Sequence, residues 1–201
     1  MAESQAPASS TFDGFFQIQL FIDGKKLPES LDIHELTIVM KKEEPTEISA
    51  SLVDVNGIGL TKPLIKLIEM PLDGRLEVWA GWDHLQPLAE GRIQSKQLTS
   101  QLNETDQLIL EAEGAVPASK ENQALIHWKA ERDFFGFDLK RTKKQLSGII
   151  NRKGTALDIG QPIRLEELPV QLSNDMQILE IHHRFHVAEW TTVVFLETPI
   201  S

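Results

Sequence analysis

Three histidines fall within the run Ile181-His182-His183-Arg184-Phe185-His186. On a helix, His182 and His186 would share one face, four residues apart, at a spacing that lets two imidazoles reach one metal. On a strand the same spacing fails. Four residues at about 3.3 Å each hold the two rings roughly 13 Å apart. Zinc needs each ligating nitrogen within about 2.1 Å of the metal. His182 and His183 would also point to opposite faces. Met176 to Val187 reads as a strand, so these histidines are expected to be structural. Asp83-His84 is a loop pair with no visible serine partner. Glu43-Glu44 and Glu166-Glu167 are adjacent carboxylates, which diverge on a strand or turn and make no acid–base couple of the glycosidase kind. The chain has no G-x-S-x-G, H-E-x-x-H or G-x-x-x-x-G-K. It has no cysteine, hence no thiolate ligand, disulfide or cysteine nucleophile. No catalytic, cofactor-binding or metal-binding residue is assigned, and the chain is expected not to be an enzyme.

The elements that position these side chains are mostly strands. Phe16, Ile18, Leu20 and Ile22 alternate with Phe15, Gln17, Gln19 and Phe21, which gives a strand with one apolar side. Asp23-Gly24 marks a hairpin. Leu31 to Lys41 and Ile48 to Val55 follow as strands, the second ending at Asn56-Gly57. Thr61 and Pro63 fit the start of a short helix through Ile68. Asp73-Gly74 is a second turn. Arg75 to Trp82, Leu88 to Leu98 and Gln107 to Ala112 read as three more strands. From Ser119, a candidate cap, Lys120 to Asp133 holds no glycine or proline. Leu125, Trp128 and Phe135, like Ala130, Phe134 and Phe137, recur at helical spacing, which predicts a helix packed on the sheet. Lys140-Arg141-Thr142-Lys143-Lys144 is then a basic loop, a solvated connection or a contact for an acidic neighbour such as another copy of the chain. Gly160 opens a run to Glu166. Met176 to Val187 and Thr191 to Glu197 form a closing ribbon about a turn at Ala188-Glu189.

With 201 residues, 41% hydrophobic and 25% charged, the chain suits an ordinary globular core. Its net charge of −10 argues against general nucleic-acid binding, which needs a basic footprint. Met1 to Ser10 has neither a basic n-region nor an apolar h-region, so residues 1–14 are expected to be a flexible arm. No apolar run nears the roughly 20 residues that span a bilayer, and no membrane insertion is expected. Asn103-Glu104-Thr105 matches a glycosylation acceptor by chance. The expected fold is mainly β with one helix: a tube-like antiparallel β-barrel, split or sandwich-like, over residues 15–201 with a helical insert at about 117–147.

Three segments carry a resemblance. They are Asp158-Ile-Gly-Gln-Pro-Ile-Arg-Leu, then Met176-Gln-Ile-Leu-Glu-Ile-His-His-Arg-Phe-His, then Trp190-Thr-Thr-Val-Val-Phe-Leu-Glu. Together they resemble the closing strands of phage tail hub proteins, the late control gene D family related to the hub half of VgrG spikes in type VI secretion. Glu35-Leu36-Thr37-Ile38, Ala50-Ser51-Leu52-Val53-Asp54 and Gly91-Arg92-Ile93 are similar to that family's opening strands. The resemblance implies a baseplate hub or tube adaptor that joins a contractile tail's tube to its central spike. It implies a homo-oligomeric ring, trimer or hexamer, with the tube protein, the spike protein, and tape measure protein or DNA in the lumen as neighbours. It implies a place in the virion tail or injection particle after synthesis in the bacterial cytoplasm. Hubs of that family carry two tube-like barrels, whereas this chain offers strands for one.

Two other readings come from different classes. A carbohydrate- or small-ligand-binding β-sandwich would use Trp79, Trp82, Trp128 and Trp190 as stacking surfaces, although core filling also accounts for them. An enzyme would assemble its site from scattered residues.

Overall fold

The computed structural model describes residues 16–55, 61–100, 105–117, 123–142, 145–168, 175–186 and 189–198. The expected arm, the Asn56-Gly57 turn, Asn103, the Ser119 cap, Lys143, Lys144 and Ala188 lie outside the described residues.

Alternation of apolar and polar side chains is realised almost throughout. The strands are β1 (Gln17–Ile22), β2 (Lys25–Lys26), β3 (Leu31–Lys41), β4 (Glu47–Asp54), β5 (Arg75–Gly81), β6 (Gln86–Thr99) and β7 (Gln107–Glu113). They continue as β8 (Ile126–Lys129), β9 (Gly136–Arg141), β10 (Leu146–Lys153), β11 (Pro162–Glu166), β12 (Asp175–His186) and β13 (Glu189–Glu197). Helix α1 (Lys62–Glu69) follows β4, and the short α2 (Ala130–Asp133) follows β8. Among the described residues all the strands join one 13-stranded sheet in the order β2-β1-β5-β6-β7-β4-β3-β12-β13-β10-β9, with β11 and β8 branching from β12. Pairing is antiparallel except between β8 and β11.

The register carries one apolar face across the whole sheet. Met40 lies opposite Ile181, Ile181 opposite Val194, Val194 opposite Ile150, and Ile150 opposite Phe137. The neighbouring row runs Ile93, Ala112, Ile48, Ile38, His183, Thr192 and Arg152. A sheet with one mainly apolar face must curl over it or cover it, and this one curls twice. At its β1 end, Phe16 packs against Trp82, Phe185 and Trp190 with ring centroids 5.6, 6.1 and 6.4 Å apart. At its β9 end, Phe134 packs edge-on against Trp128 and Phe137 at 6.0 and 6.1 Å. Side chains make both seams. Among the described residues the hydrogen-bond ladder does not close, so the barrel is split.

The long strand β12 belongs to both curls. Its first residues, Asp175 to Gln177, pair with β11, and Glu180 to His186 pair with β3 on the same side. A bulge between Ile178 and Glu180 marks the changeover. The turns follow the sequence: Asp23 and Gly24 adopt φ of 50° and 72°, and Asp73 adopts 71°. These left-handed values suit Asp and Gly, which tolerate that region best.

Helix α1 forms as expected, with Thr61 at its N-cap position and Pro63 in its first turn, though Thr61 makes no side-chain capping bond. The helix expected over Lys120–Asp133 does not form. Ile126 to Lys129 is a strand instead, and only Ala130–Asp133 is helical. Two competing stripes at helical spacing never defined one apolar face. The alternating pair Ile126 and Trp128 instead finds a parallel partner in Ile163 and Leu165. Tertiary pairing outweighs the weak propensity of a short segment. Among the described residues the insert therefore holds more strand than helix, and the Lys140-Arg141 end of the expected basic loop lies in β9.

Candidate functional site

The histidine run sits on β12, where strand geometry separates its members. His182 faces outward and approaches Glu180 Oε1 through Nε2 at 2.5 Å. His186 is exposed, its ring edge-on to His34 at 5.6 Å. His183 points inward and is fully buried. Among the described residues no three His, Cys, Asp or Glu side chains converge as metal ligands do.

His183 is set in a short polar relay inside the apolar core. The Thr155 backbone N–H reaches Thr192 Oγ1 at 3.4 Å, and Thr192 Oγ1 lies 2.9 Å from His183 Nδ1. The Trp190 indole N–H, which can only donate, points at the same Nδ1 from 3.4 Å. Nδ1 must then accept, and the ring proton sits on Nε2, which has no partner among the described residues. Burial pushes the His183 pKa down to about 3, with the neighbouring His182 adding to the effect. A proton added at Nδ1 would face two donors. The cluster is a lock on the first seam, because Trp190 also stacks on Phe185 at 5.1 Å and on Trp82 at 6.1 Å.

Gly154 makes that stacking sterically feasible. A Cβ there would lie 2.0 Å from the Trp190 ring. Its carbonyl accepts the Trp82 indole N–H at 2.8 Å, and its N–H donates to Trp190 O at 2.8 Å. Lys153 lies 3.8 Å above the Trp82 ring. Trp128 and Trp190 are buried, and Trp79 turns to the other face, against Phe21 at 5.9 Å. The four tryptophans thus form no common stacking platform.

Two cations serve the core in ways the sequence does not announce. Lys96 lies opposite Leu110 on the inner face. Its Nζ donates to the carbonyls of Leu67, Met70 and Pro71 at 2.8, 2.5 and 3.5 Å, which fastens the C-terminal end of α1 over the barrel. This is where helix carbonyls lack partners and where a cation complements the dipole. Partial burial holds the Lys96 pKa below its usual value. Arg152 lies 4.3 Å over Trp128 in the second seam, and burial lowers its pKa to about 10 while Asp133 opposes the shift.

The carboxylate pairs are dispersed. Glu43 and Glu44 ion-pair with Lys42 and Lys41 in a surface turn. Glu166 meets His127 at 2.6 Å and Glu167 meets Lys129 at 3.3 Å. Asp83-His84 closes the turn after β5, where the His84 carbonyl packs against Gly81.

A cleft marks where the first curl stays open. It has a volume of about 640 Å³ and lies between β1 on one side and the start of β3 on the other. Phe16, Ile18, Leu31, Ile33 and Phe185 line it together with the polar Lys26, Glu29, Asp32, His34 and His186. Ladder pairing of β12 with β3 ends at Glu35, so Leu31 to His34 has a sheet neighbour on the β4 side alone among the described residues. The Ile33 N–H is met by its own neighbour, the Asp32 carboxylate, at 3.2 Å.

No protein-family model matches the sequence, and no curated protein matches it. The fold does match solved structures. The chain is similar to a 43 kDa tail protein of prophage MuSo2 from Shewanella oneidensis, with a TM-score of 0.65 at 6% identity, over 90% of this chain and 98% of that one. It is similar to the tail protein from Neisseria meningitidis MC58, with a TM-score of 0.61 at 7% identity, over 91% and 96% of the two chains. It is also similar to the E. coli c3393 protein, with a TM-score of 0.57 at 8% identity, over 90% and 77%. That protein is described as a component of the type VI secretion system with structural similarity to the T4 tail proteins gp27 and gp5. The chain thus has the fold of these tail and secretion-system proteins. At such identities the shared property is the backbone architecture.

Proposed function

We propose that this chain is a structural component of a phage tail or related contractile injection system. Within that class it acts as a baseplate hub or tube adaptor of the late control gene D and VgrG type. The supporting observation is the fold likeness over about nine-tenths of the chain to three tail-type proteins from different bacteria. The molecule's own chemistry agrees with a role in shape rather than catalysis. The buried His183 and Thr192 of the first seam and the half-buried Arg152 of the second serve packing.

In this reading copies of the chain form a ring, of three or six members, between the tail tube and the central spike. Tape measure protein or DNA passes through its lumen. An incompletely closed sheet with exposed edges favours association, because unpaired edges and open apolar slots are finished by neighbours. The site of action is the virion tail or the injection particle.

Negative-stain electron microscopy and native mass spectrometry of the purified protein test this reading. Closed rings of three or six copies are expected, and the same protein should appear in purified particles. A monomer at all concentrations, absent from particles, would overturn it.

A further inference from the structure

Strand β3 changes its facing once. Leu31 and Ile33 pack on the core, and so do Leu36 and Ile38. Strict alternation would send Ile33 and Leu36 to opposite faces. A bulge absorbs the difference: Ile33 lies opposite Leu52 and Glu35 opposite Ser51 on β4, so His34 is the extra residue. Bulges re-aim a side chain and are built-in features rather than defects. This one turns His34 outward, where it is exposed beside the exposed His186. The two rings stand 5.6 Å apart between centroids, with 67° between their planes. Both line the cleft. Their position is at the end of a joint. The β3–β12 ladder stops at the pair Glu35 and His186, and His34 is the next residue outward.

Imidazole nitrogens suit zinc, nickel and copper ions. Two rings on one tetrahedral ion, each nitrogen about 2.1 Å from it, set their centroids about 5.2 Å apart. Small rotations of two exposed side chains bring the observed pair to that distance. Three other histidines are committed elsewhere: His127 to Glu166, His182 to Glu180, and His183 to the core. Glu189 lies directly opposite His186 on β13 and adds a carboxylate to the neighbourhood, whereas Glu35, the other cross-strand neighbour, is engaged by Arg184 at 2.9 Å. No three such ligands converge among the described residues. Water therefore completes the shell of an ion held here, and the site is an exchangeable one, unlike the closed four-ligand centres that hold a structural ion permanently.

We propose that His34 and His186 form a two-imidazole site for a divalent transition-metal ion of the zinc, nickel and copper kind, and that the bound ion clasps the start of β3 to the end of β12 at the lip of the cleft. Leu31 to His34 has a sheet neighbour on the β4 side alone among the described residues. The ion supplies a second anchor on the β12 side, one residue beyond the last rung of the ladder. A ligand that binds only the closed joint stabilises it by mass action. The site belongs to the single chain and stands apart from the ring reading above.

The test titrates the full chain with zinc chloride, and then with nickel chloride, by calorimetry. One ion per chain is expected. His34→Asn and His186→Asn, both at exposed positions, should each weaken binding at least about tenfold, and circular dichroism confirms that each variant stays folded. The controls His127→Asn and His182→Asn should leave the affinity within about twofold of the parent. Magnesium and calcium chlorides, whose ions take oxygen ligands, should give no binding heat. Hydrogen exchange reads the clasp: saturating zinc should slow the amides of Leu31 to His34 in the parent and in neither site variant. Unchanged zinc affinity in either His34→Asn or His186→Asn would overturn the site, as would an equal loss in a control. Zinc binding at these residues without slower exchange at the start of β3 would overturn the clasp and leave the site standing.

Discussion

Acid should loosen this protein through His183. The imidazole is fully buried, its Nδ1 accepts from Thr192 and Trp190, and its pKa is held near 3 by burial. In the unfolded chain the same group titrates near 6.5. The unfolded state therefore binds the extra proton first, and stability falls as pH drops through the window from about 6.5 toward about 3. Above pH 6.5 the contribution is fully present. The slope inside the window is about 1.4 kcal/mol per pH unit. The whole gap amounts to roughly 5 kcal/mol, an upper limit because water can enter the seam before the limit is reached. Chemical denaturation from pH 7.5 to pH 4 measures the slope. His183→Leu supplies the control: it strands the Trp190 N–H and the Thr192 hydroxyl, at a cost of about 1–3 kcal/mol at neutral pH, but removes this titration. The difference between the parent and variant profiles isolates the histidine from the carboxylates. Parallel profiles over this window would refute the reasoning. So would a histidine NMR spectrum in which every imidazole of the folded protein gains its proton near pH 6.5.

Other perturbations read different parts of the structure. Gly154→Ala drives a methyl group to 2.0 Å from the Trp190 ring, so it should lower stability by about 2–4 kcal/mol and reduce the near-UV tryptophan signal, because backbone and ring must both move. Lys96→Met keeps the aliphatic stem but frees the carbonyls of Leu67, Met70 and Pro71. A loss of about 1–2 kcal/mol is expected, with hydrogen exchange accelerated in α1 before the rest of the sheet. Leu36→Ala empties a fully buried position opposite Ala50 and Phe185, and should cost about 2–5 kcal/mol in equilibrium denaturation.

The sequence was most readable where a strand's own alternation decides its fate. The strands expected over Phe15 to Ile22, Leu31 to Lys41 and Ile48 to Val55, and the two closing strands, are found at Gln17–Ile22, Leu31–Lys41, Glu47–Asp54, Asp175–His186 and Glu189–Glu197. The turns at Asp23-Gly24 and Asp73-Gly74 follow for the same local reason. The histidine run was also decided locally: opposite faces for His182 and His183 follow from strand geometry alone. What escaped depends on partners far away in sequence. Ile126 to Lys129 becomes a strand because β11 lies beside it, almost 40 residues later. Leu146 to Lys153, an additional strand beyond those the pattern gave, is fixed by β13 and β9. Lys96 looks like a surface lysine in a strand, and a shift of register between Ile93 and Ser95 turns it to the inner face. The cleft was equally invisible, since it is defined by where the β12 ladder stops.

The pairing of β3 with β12 has a consequence for biosynthesis. Met40 must wait for Ile181, and Leu36 for Phe185. At ribosomal speeds of about 5–20 residues per second, one flank of β3 stays without its mate for roughly 7–30 seconds after it is made. During that interval the apolar face from Leu36 to Met40 is half covered by β4 and otherwise open. Growing chains on neighbouring ribosomes present the same bare flank at the same moment, so the hazard of mispairing is greatest on a crowded polysome and disappears once the last forty residues emerge.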